Sequence, residues 1–227
     1  MEREVDARIE GPSPWFHGAT KRSLGATWPW IALVPIVLLG AALRLTGVNW
    51  DANQHLHPDE RFITMVETAI ALPSDVREYF DTQRSPLNPY NRGFGSFVYG
   101  TFPLFLVRAL GEVLGQTGYD QIHLLGRVVS ALFDLGTVVL VFLLGRALYG
   151  SAVGILGALL TATAVLHVQQ AHFFTTDSFL VFFTTLTLYL AALAARRGGT
   201  ALFVGLGAAC GVAVATKINA VLLGPVV

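Results

Sequence analysis

Charge is what this sequence has least of. Only 13% of its 227 residues are charged, against about 25% in an ordinary soluble domain. Cysteine is nearly absent too. Cys210 stands alone, so no intrachain disulfide can form, and in an apolar run a lone cysteine serves as a small apolar residue. There is no excess of either sign: 15 Lys and Arg balance 15 Asp and Glu, which removes the basic surplus expected of a nucleic-acid binder. No cleavable leader is legible. The first apolar run begins near Trp28, after a mixed-charge tail, and no small-residue cleavage site follows it. That run reads as a retained span. No internal repeat and no low-complexity segment stand out.

What is present is apolar length. Residues 1–26 read as a flexible polar tail with Lys21 and Arg22 at its end. Residues 27–227 read as one membrane module. A first span covers 27–47, with Trp28 and Trp30 suited to the interfacial belt. Four further apolar segments follow at 122–147, 151–170, 177–195 and 200–224, each about as long as roughly 30 Å of hydrocarbon requires. The run 97–115 holds Pro103, Arg108 and Glu112, so it is a poor span and reads as a juxtamembrane or re-entrant helix. The expected fold is therefore an all-α membrane protein of about five transmembrane helices, with juxtamembrane helices in a long external loop, 48–121. Within that loop, Phe62, Met65, Val66, Ala69 and Ile70 recur at helical spacing. They predict a helix from Pro58 to about Leu72 lying along the membrane with one apolar face.

Charge sets the expected topology. Lys21 and Arg22 place the N-terminus in the cytoplasm, and Arg146 and Arg196–Arg197 place their two turns there as well. Dropping 97–115 as a span satisfies all three. Arg127 dissents, because it then sits near the external end of the second span. On this reading the 48–96 loop and the QQAHFFTTD junction share the external side. The chain ends in GPVV on an apolar helix, which reads as a C-terminal truncation.

Three groups of residues can carry chemistry. The first is His55-Leu56-His57-Pro58-Asp59-Glu60. Proline at a first helical position followed by acids is ordinary helix-start chemistry. The same carboxylates, at a membrane–water boundary, are placed to act as general base on a hydroxyl. With His55 and His57 they offer oxygen and nitrogen ligands to a divalent metal, although the spacing is no metal signature. The second is His172 to Asp177, where Thr176 or Asp177 is suited to cap the following helix. The third is the ionisable set within spans, Arg44, Asp134 and Lys217, which is expensive at membrane depth. Arg44 is suited to snorkel to the interface, and Asp134 to pair with an arginine. Arg44 and Lys217, both in external halves of their spans, fit a lipid-linked phosphate. Phe97, Tyr99, Phe102 and Phe105 are suited to line a groove or to pack at the interface.

The order of these pieces resembles the GT-C glycosyltransferases, nearest to the protein O-mannosyltransferase and aminoarabinose-transferase type. The resemblance rests on Ala42-Leu43-Arg44-Leu45 before His57-Pro58-Asp59-Glu60, then Tyr99 to Leu104, Gly145 to Gly150, Gln170 to Asp177, and Ala215 to Ala220. It spans about residues 28–225. It implies a polyprenyl-phosphate sugar donor, with Asp59 as catalytic base or acceptor-orienting carboxylate and Glu60 assisting it. Asp177 is implied in binding donor, acceptor or a metal where one is used. His57 and His172, flanking the acids, join the expected substrate-binding residues. Assigning Lys217 and Arg44 to the donor phosphate comes from charge and depth instead.

The leading expectation is thus an inverting sugar transfer at the plasma membrane from a polyprenyl-phosphate donor to an external protein, lipid or glycan, with no cofactor required. Members of that superfamily usually carry more spans, so a chain of this length is expected to be an N-terminal portion. A non-catalytic membrane subunit and a transporter are the rival classes.

Overall fold

The computed structural model describes residues 27–226, and the tail expectation for 1–26 lies outside them. Among the described residues the architecture is all-helical. Helix α1 (Trp28–Leu45) starts with Pro29 near its first position, where a missing N–H costs nothing. A loop leads to α2 (Pro58–Ala69), then a short α3 (Val76–Phe80) and α4 (Phe102–Leu114). The long α5 (Tyr119–Tyr149) is followed by α6 (Ser151–Thr163), α7 (Val165–Ala171), α8 (Asp177–Arg197) and α9 (Thr200–Thr216). A 3-10 segment, Ile218–Val226, ends the described chain.

Three helices, α1, α5 and α8, are long and apolar enough to cross a membrane. The bent pair α6–α7 makes a fourth if counted as one span, and α9 is a shorter apolar helix of 17 residues. Against the expected five, two segments differ. The run 151–170 is broken at Ala164, and α6 and α7 meet at 56°. The run 200–224 leaves α-helical geometry at Lys217, whose backbone is extended. Helix α4, 13 residues long, is not among the candidate spans.

Helix α5 is the central element: α6 and α8 pack along it, and α1, α2 and α4 touch it. The bundle has two chemically different ends. At one, Arg146 lies over the Trp30 ring at 5.2 Å, and Arg196 donates to the carbonyl of Ala147. At the other end lie the C-terminus of α1, the loop to α2, the start of α5, the α7–α8 junction and the end of α9.

The apolar face expected for α2 is buried at Val66 and Ile70 and half-buried at Phe62 and Ala69, but the buried face is not purely apolar. Ile63 and Val66 are buried, but so are Glu60, Thr64 and Glu67, while Met65 is exposed. The physical reason is ionic. Glu60 turns inward to a buried arginine. Glu67 is fully buried, and its burial pushes the carboxyl well above its ordinary range.

Candidate functional site

The framework of the acidic end is built on Arg127, the charge that dissented from the topology. It is 1% exposed. Its Nε donates to Glu60 Oε1 at 2.7 Å and its Nη2 to Glu60 Oε2 at 2.6 Å. The same guanidinium donates to Asp51 Oδ1 at 3.0 Å and Oδ2 at 2.9 Å, and to the carbonyl of Val48 at 2.8 Å. One cation thus grips two carboxylates in fork geometry, the strongest form of such a bond. The Arg127 guanidinium holds the Asp51 carboxyl down at about 2. Trp50 covers the cation at 5.4 Å.

The loop so gripped is strained. Ala52, Asn53 and His55 all have positive φ, at 49°, 63° and 49°. Non-glycine residues adopt that region at a cost of roughly 1–2 kcal/mol each. Strain of this kind persists only where surrounding contacts dictate it.

The two acid-bearing segments meet. Glu60 Oε1 also accepts from the backbone N–H of Phe174 at 2.7 Å. Trp50 Nε1 donates to the carbonyl of His172 at 3.3 Å, and the His57 and Phe173 rings lie 4.3 Å apart. Phe174 reaches this position because α5 has glycine at 126, where a Cβ would run into its ring. The loop before α4 is closed in the same manner. Gly100 donates to the carbonyl of Thr216 at 3.1 Å, and a Cβ at Gly100 would overlap the carbonyl oxygens of Ala215 and Thr216. That contact brings the backbone after Tyr99 against the end of α9, one residue before Lys217.

The result is a cluster of four side chains at one end of the bundle. Lys217 Nζ donates to Asp177 Oδ1 at 2.9 Å, both side chains about one-third exposed (33% and 39%). Asp59 is exposed on the first turn of α2, and its carboxylate acts on the Tyr99 phenol. Burial, that carboxylate and the charge of Asp177 push the Tyr99 phenol up to about 12. The phenol stays protonated and acts as a donor toward Asp59.

The expected site residues therefore divide. Asp59, Asp177 and Lys217 come together with their polar groups in reach of solvent. Glu60, its neighbour in sequence, is fully buried on Arg127. His57 caps α2, its Nδ1 accepting from the N–H of Glu60 at 3.3 Å. His172 holds the junction closed, with Nδ1 2.7 Å from the carbonyl of Val168 and Nε2 2.9 Å from that of Thr46. Arg44 is fully buried, and each of its guanidinium nitrogens is engaged. Nε donates to Asp134 Oδ2 at 2.6 Å, Nη1 to the carbonyls of Ala162 and Gly40 at 2.8 and 3.2 Å, and Nη2 to that of Thr161 at 3.2 Å. The carbonyls of Thr161 and Ala162 border the break between α6 and α7, so Arg44 satisfies acceptors there. His167 meets Asp134 from the other side at 2.7 Å. Neither Thr176 nor Asp177 caps α8. Thr176 stands at the cap position without a side-chain cap bond. Among the described residues, no group of three or more His, Cys, Asp and Glu side chains is arranged to hold a metal ion.

Two participants were not singled out from sequence. Asp51 lies in a polar loop with nothing in its neighbours to mark it. Tyr99 stands in the sequence as a groove or packing residue and as the start of the Tyr99–Leu104 piece of the resemblance, with no role at the site. The cue for Tyr99 lies in the glycine that follows it, next to Thr101-Phe102-Pro103, where a helix starts.

A family model described as dolichyl-phosphate-mannose-protein mannosyltransferase matches residues 119–227. The match starts at the first residue of α5 and takes in Arg127, Asp134, Asp177 and Lys217. It covers just under half of the chain, and Asp59 and Tyr99 lie before it. Over that stretch the chain is mannosyltransferase-like, and its apolar helices are those of a membrane protein. No curated protein and no solved structure matches it significantly.

Proposed function

We propose that this chain forms the catalytic end of a membrane glycosyltransferase that moves a sugar, mannose by the family match, from a polyprenyl-phosphate donor to an acceptor hydroxyl with inversion. The observation that carries the reading is the gathering of Asp59, Tyr99, Asp177 and Lys217 at one end of the bundle, opposite the arginine-bearing turns. The match to the mannosyltransferase family over α5 to α9 supports it.

In this reading the acceptor oxygen attacks the anomeric carbon from the face opposite the phosphate. Its proton passes to Asp59, the exposed carboxylate, while Tyr99 holds that carboxylate in place. The bond from the anomeric carbon to the phosphate oxygen breaks, and its electron pair leaves with the phosphate. Lys217 neutralises the charge that develops there. Asp177 orients Lys217. Glu60 is a positioning residue, since its carboxylate is spent on Arg127 and Phe174. We place the acidic end outside the plasma membrane and the turns at Arg146 and Arg196–Arg197 in the cytoplasm, as the positive-inside rule prefers.

The test is Asp59→Asn in the full-length protein, reconstituted with a polyprenyl-phosphate mannose. Transfer is expected to fall by roughly 10²–10⁴-fold, the range for loss of a general base, with thermal unfolding unchanged because Asp59 is exposed. Wild-type turnover by this variant would falsify the assignment.

A further inference from the structure

Helix α3, the loop after it and the start of α4 enclose a hollow to which the mechanism above gives no role. Its volume is about 240 Å³, just below small-molecule sites, which start at about 300 Å³. Helix α3 contributes Tyr79 and Phe80, the loop Thr82 and Asn88, and the start of α4 Thr101 and Phe105.

One side of the hollow is aromatic. The Tyr79 ring stands edge-on to Phe80 at 4.9 Å and to Phe105 at 6.4 Å, with interplanar angles of 89° and 75°. Tyr79 is 43% exposed and Phe80 72%, so a ligand from solution can reach both rings. The rest is polar and uncharged. Thr82 is exposed, and the loop engages it through its backbone: its carbonyl accepts from the amides of Asn88 and Asn91 at 2.9 and 3.1 Å. Its hydroxyl makes no bond among the described residues. Half-buried Thr101 stands at the cap position of α4, where a threonine ordinarily bonds the helix N–H groups, and makes no such bond.

The loop is held in place by its own bonds. The Asp81 carbonyl accepts from the N–H groups of Arg84 and Ser85 at 3.0 and 2.7 Å, and Asn91 also donates to the carbonyl of Ser85 at 3.0 Å. A ligand entering a wall already fixed pays little for ordering it.

We propose that this hollow is a sugar-binding subsite that takes one uncharged hexopyranose, its C–H face laid against Tyr79 and its hydroxyls bonded to Thr82 and Thr101. This goes beyond the glycosyltransferase reading, because the hollow binds and does not transfer. The lining has no ionised side chain, so a phosphate or carboxylate entering would lose its hydration without compensation. A hydrocarbon chain would cover the threonine hydroxyls and leave them unpaired. A pyranose carries an apolar C–H face and a rim of hydroxyls, and so matches both kinds of wall.

The experiment uses the full-length protein in phosphatidylcholine nanodiscs, free of sugar-headed detergent. Binding of the methyl glycosides of mannose, glucose and galactose is followed by saturation-transfer NMR titration. At least one is expected to bind with a Kd of roughly 1 mM, in keeping with a ligand of this size. Tyr79→Ala removes the platform and Thr82→Val a hydrogen-bond partner, and each is expected to weaken binding roughly tenfold. Both residues are exposed, so the unfolding temperature is expected to stay the same. Asp59→Asn is expected to keep the wild-type Kd. Glucuronate, which adds a charge, and cyclohexanol, which lacks the rim of hydroxyls, are expected to bind at least tenfold more weakly than the best glycoside. The proposal is overturned if none of the three glycosides binds, if either variant binds as wild type, or if glucuronate or cyclohexanol binds as tightly as the best glycoside. Loss of binding in Asp59→Asn also overturns it, since the sugar would then sit at the transfer site. The parent reading is judged apart, by turnover. Wild-type turnover of Asp59→Asn removes the base assignment and leaves the sugar subsite standing, whereas glycoside binding indifferent to Tyr79 and Thr82 removes the subsite alone.

Discussion

Replacing Arg127 by methionine keeps most of the side-chain volume and removes the charge. Five hydrogen bonds disappear: two to Glu60, two to Asp51 and one to the carbonyl of Val48. The larger loss lies in what remains. The side chains of Asp51 and Glu60 are both 0% exposed, and without the arginine they are two buried carboxylates side by side. Removing one partner of a buried ion pair costs about 3–5 kcal/mol. Here one cation serves two acids, so the upper part of that range is expected. For a chain of this size, 1 kcal/mol shifts the unfolding midpoint by roughly 2–4 °C, so Arg127→Met is expected to lower it by roughly 10 °C or more. Trp50 lies over the guanidinium, so tryptophan fluorescence through a thermal scan in detergent, with Trp15, Trp28 and Trp30 replaced by phenylalanine in both proteins compared, is a suitable readout. The triple variant Arg127→Met, Asp51→Asn, Glu60→Gln removes the stranded charges and is expected to recover much of the loss. A drop of less than about 2 °C in the single variant, or a triple variant no more stable than the single one, would refute the assignment of Arg127 as the keystone.

Gly100→Ala is expected to lower the midpoint by a few degrees and to depress transfer, because the added methyl meets the backbone at Ala215 and Thr216 and cannot be absorbed by a rotamer change. Thermal scans and turnover, measured on the same preparation, check it. Stability should also fall in acid. The folded Asp51 carboxyl, held at about 2 by Arg127, lies below its ordinary value of 3.8. A depressed carboxylate contributes stability that is complete above about pH 4 and is lost as pH falls toward 2. The contribution is about 2 kcal/mol. Midpoints measured from pH 6 to pH 2 should show that decline in the wild type, and Asp51→Asn should flatten it.

Much of the architecture was legible because it depends on local composition. Pro103, Arg108 and Glu112 disqualify 97–115 as a span, and the segment is a 13-residue helix packed on α2 and α5. Asp134, too costly to leave alone in an apolar helix, has the arginine partner its burial demanded. The turns at Arg146 and Arg196 lie at one end and the acids at the other. What was not legible depends on residues far apart in the chain. Nothing at Ala164 announces a break, since no proline or glycine stands there; Arg44 satisfies carbonyls beside it from about 120 positions away. The acidic part of the buried face of α2 was hidden for the same reason. Glu60 reads as a surface acid until Arg127, 67 residues on, is known to face it. Arg127 seemed to violate the charge rule only because an isolated arginine was counted. Paired with two acids, it carries no positive charge outward.

In the proposed mechanism, the same comparison of environments favours one cation for an incoming phosphate. Arg44 and Arg127 are both strongly basic and both near acids, but each is buried and saturated with hydrogen bonds. Drawing either toward a ligand would strand a buried carboxylate at a cost of about 3–5 kcal/mol, more than a single phosphate contact near water returns. Lys217 is also paired, yet its pair with Asp177 is open to solvent on both sides. Such a pair is worth about 0–1 kcal/mol, so an anion can displace Asp177 with little loss. Lys217 is in addition a flexible ammonium able to swing between two acceptors, whereas the arginine forks are fixed by their geometry. The extended backbone at Lys217, where α9 ends, supports this use, because it frees the side chain from the helix surface just where Gly100 packs. In the proposed mechanism, the buried charges at this end of the bundle therefore build the site, and the solvent-open Lys217–Asp177 pair is the one left to react.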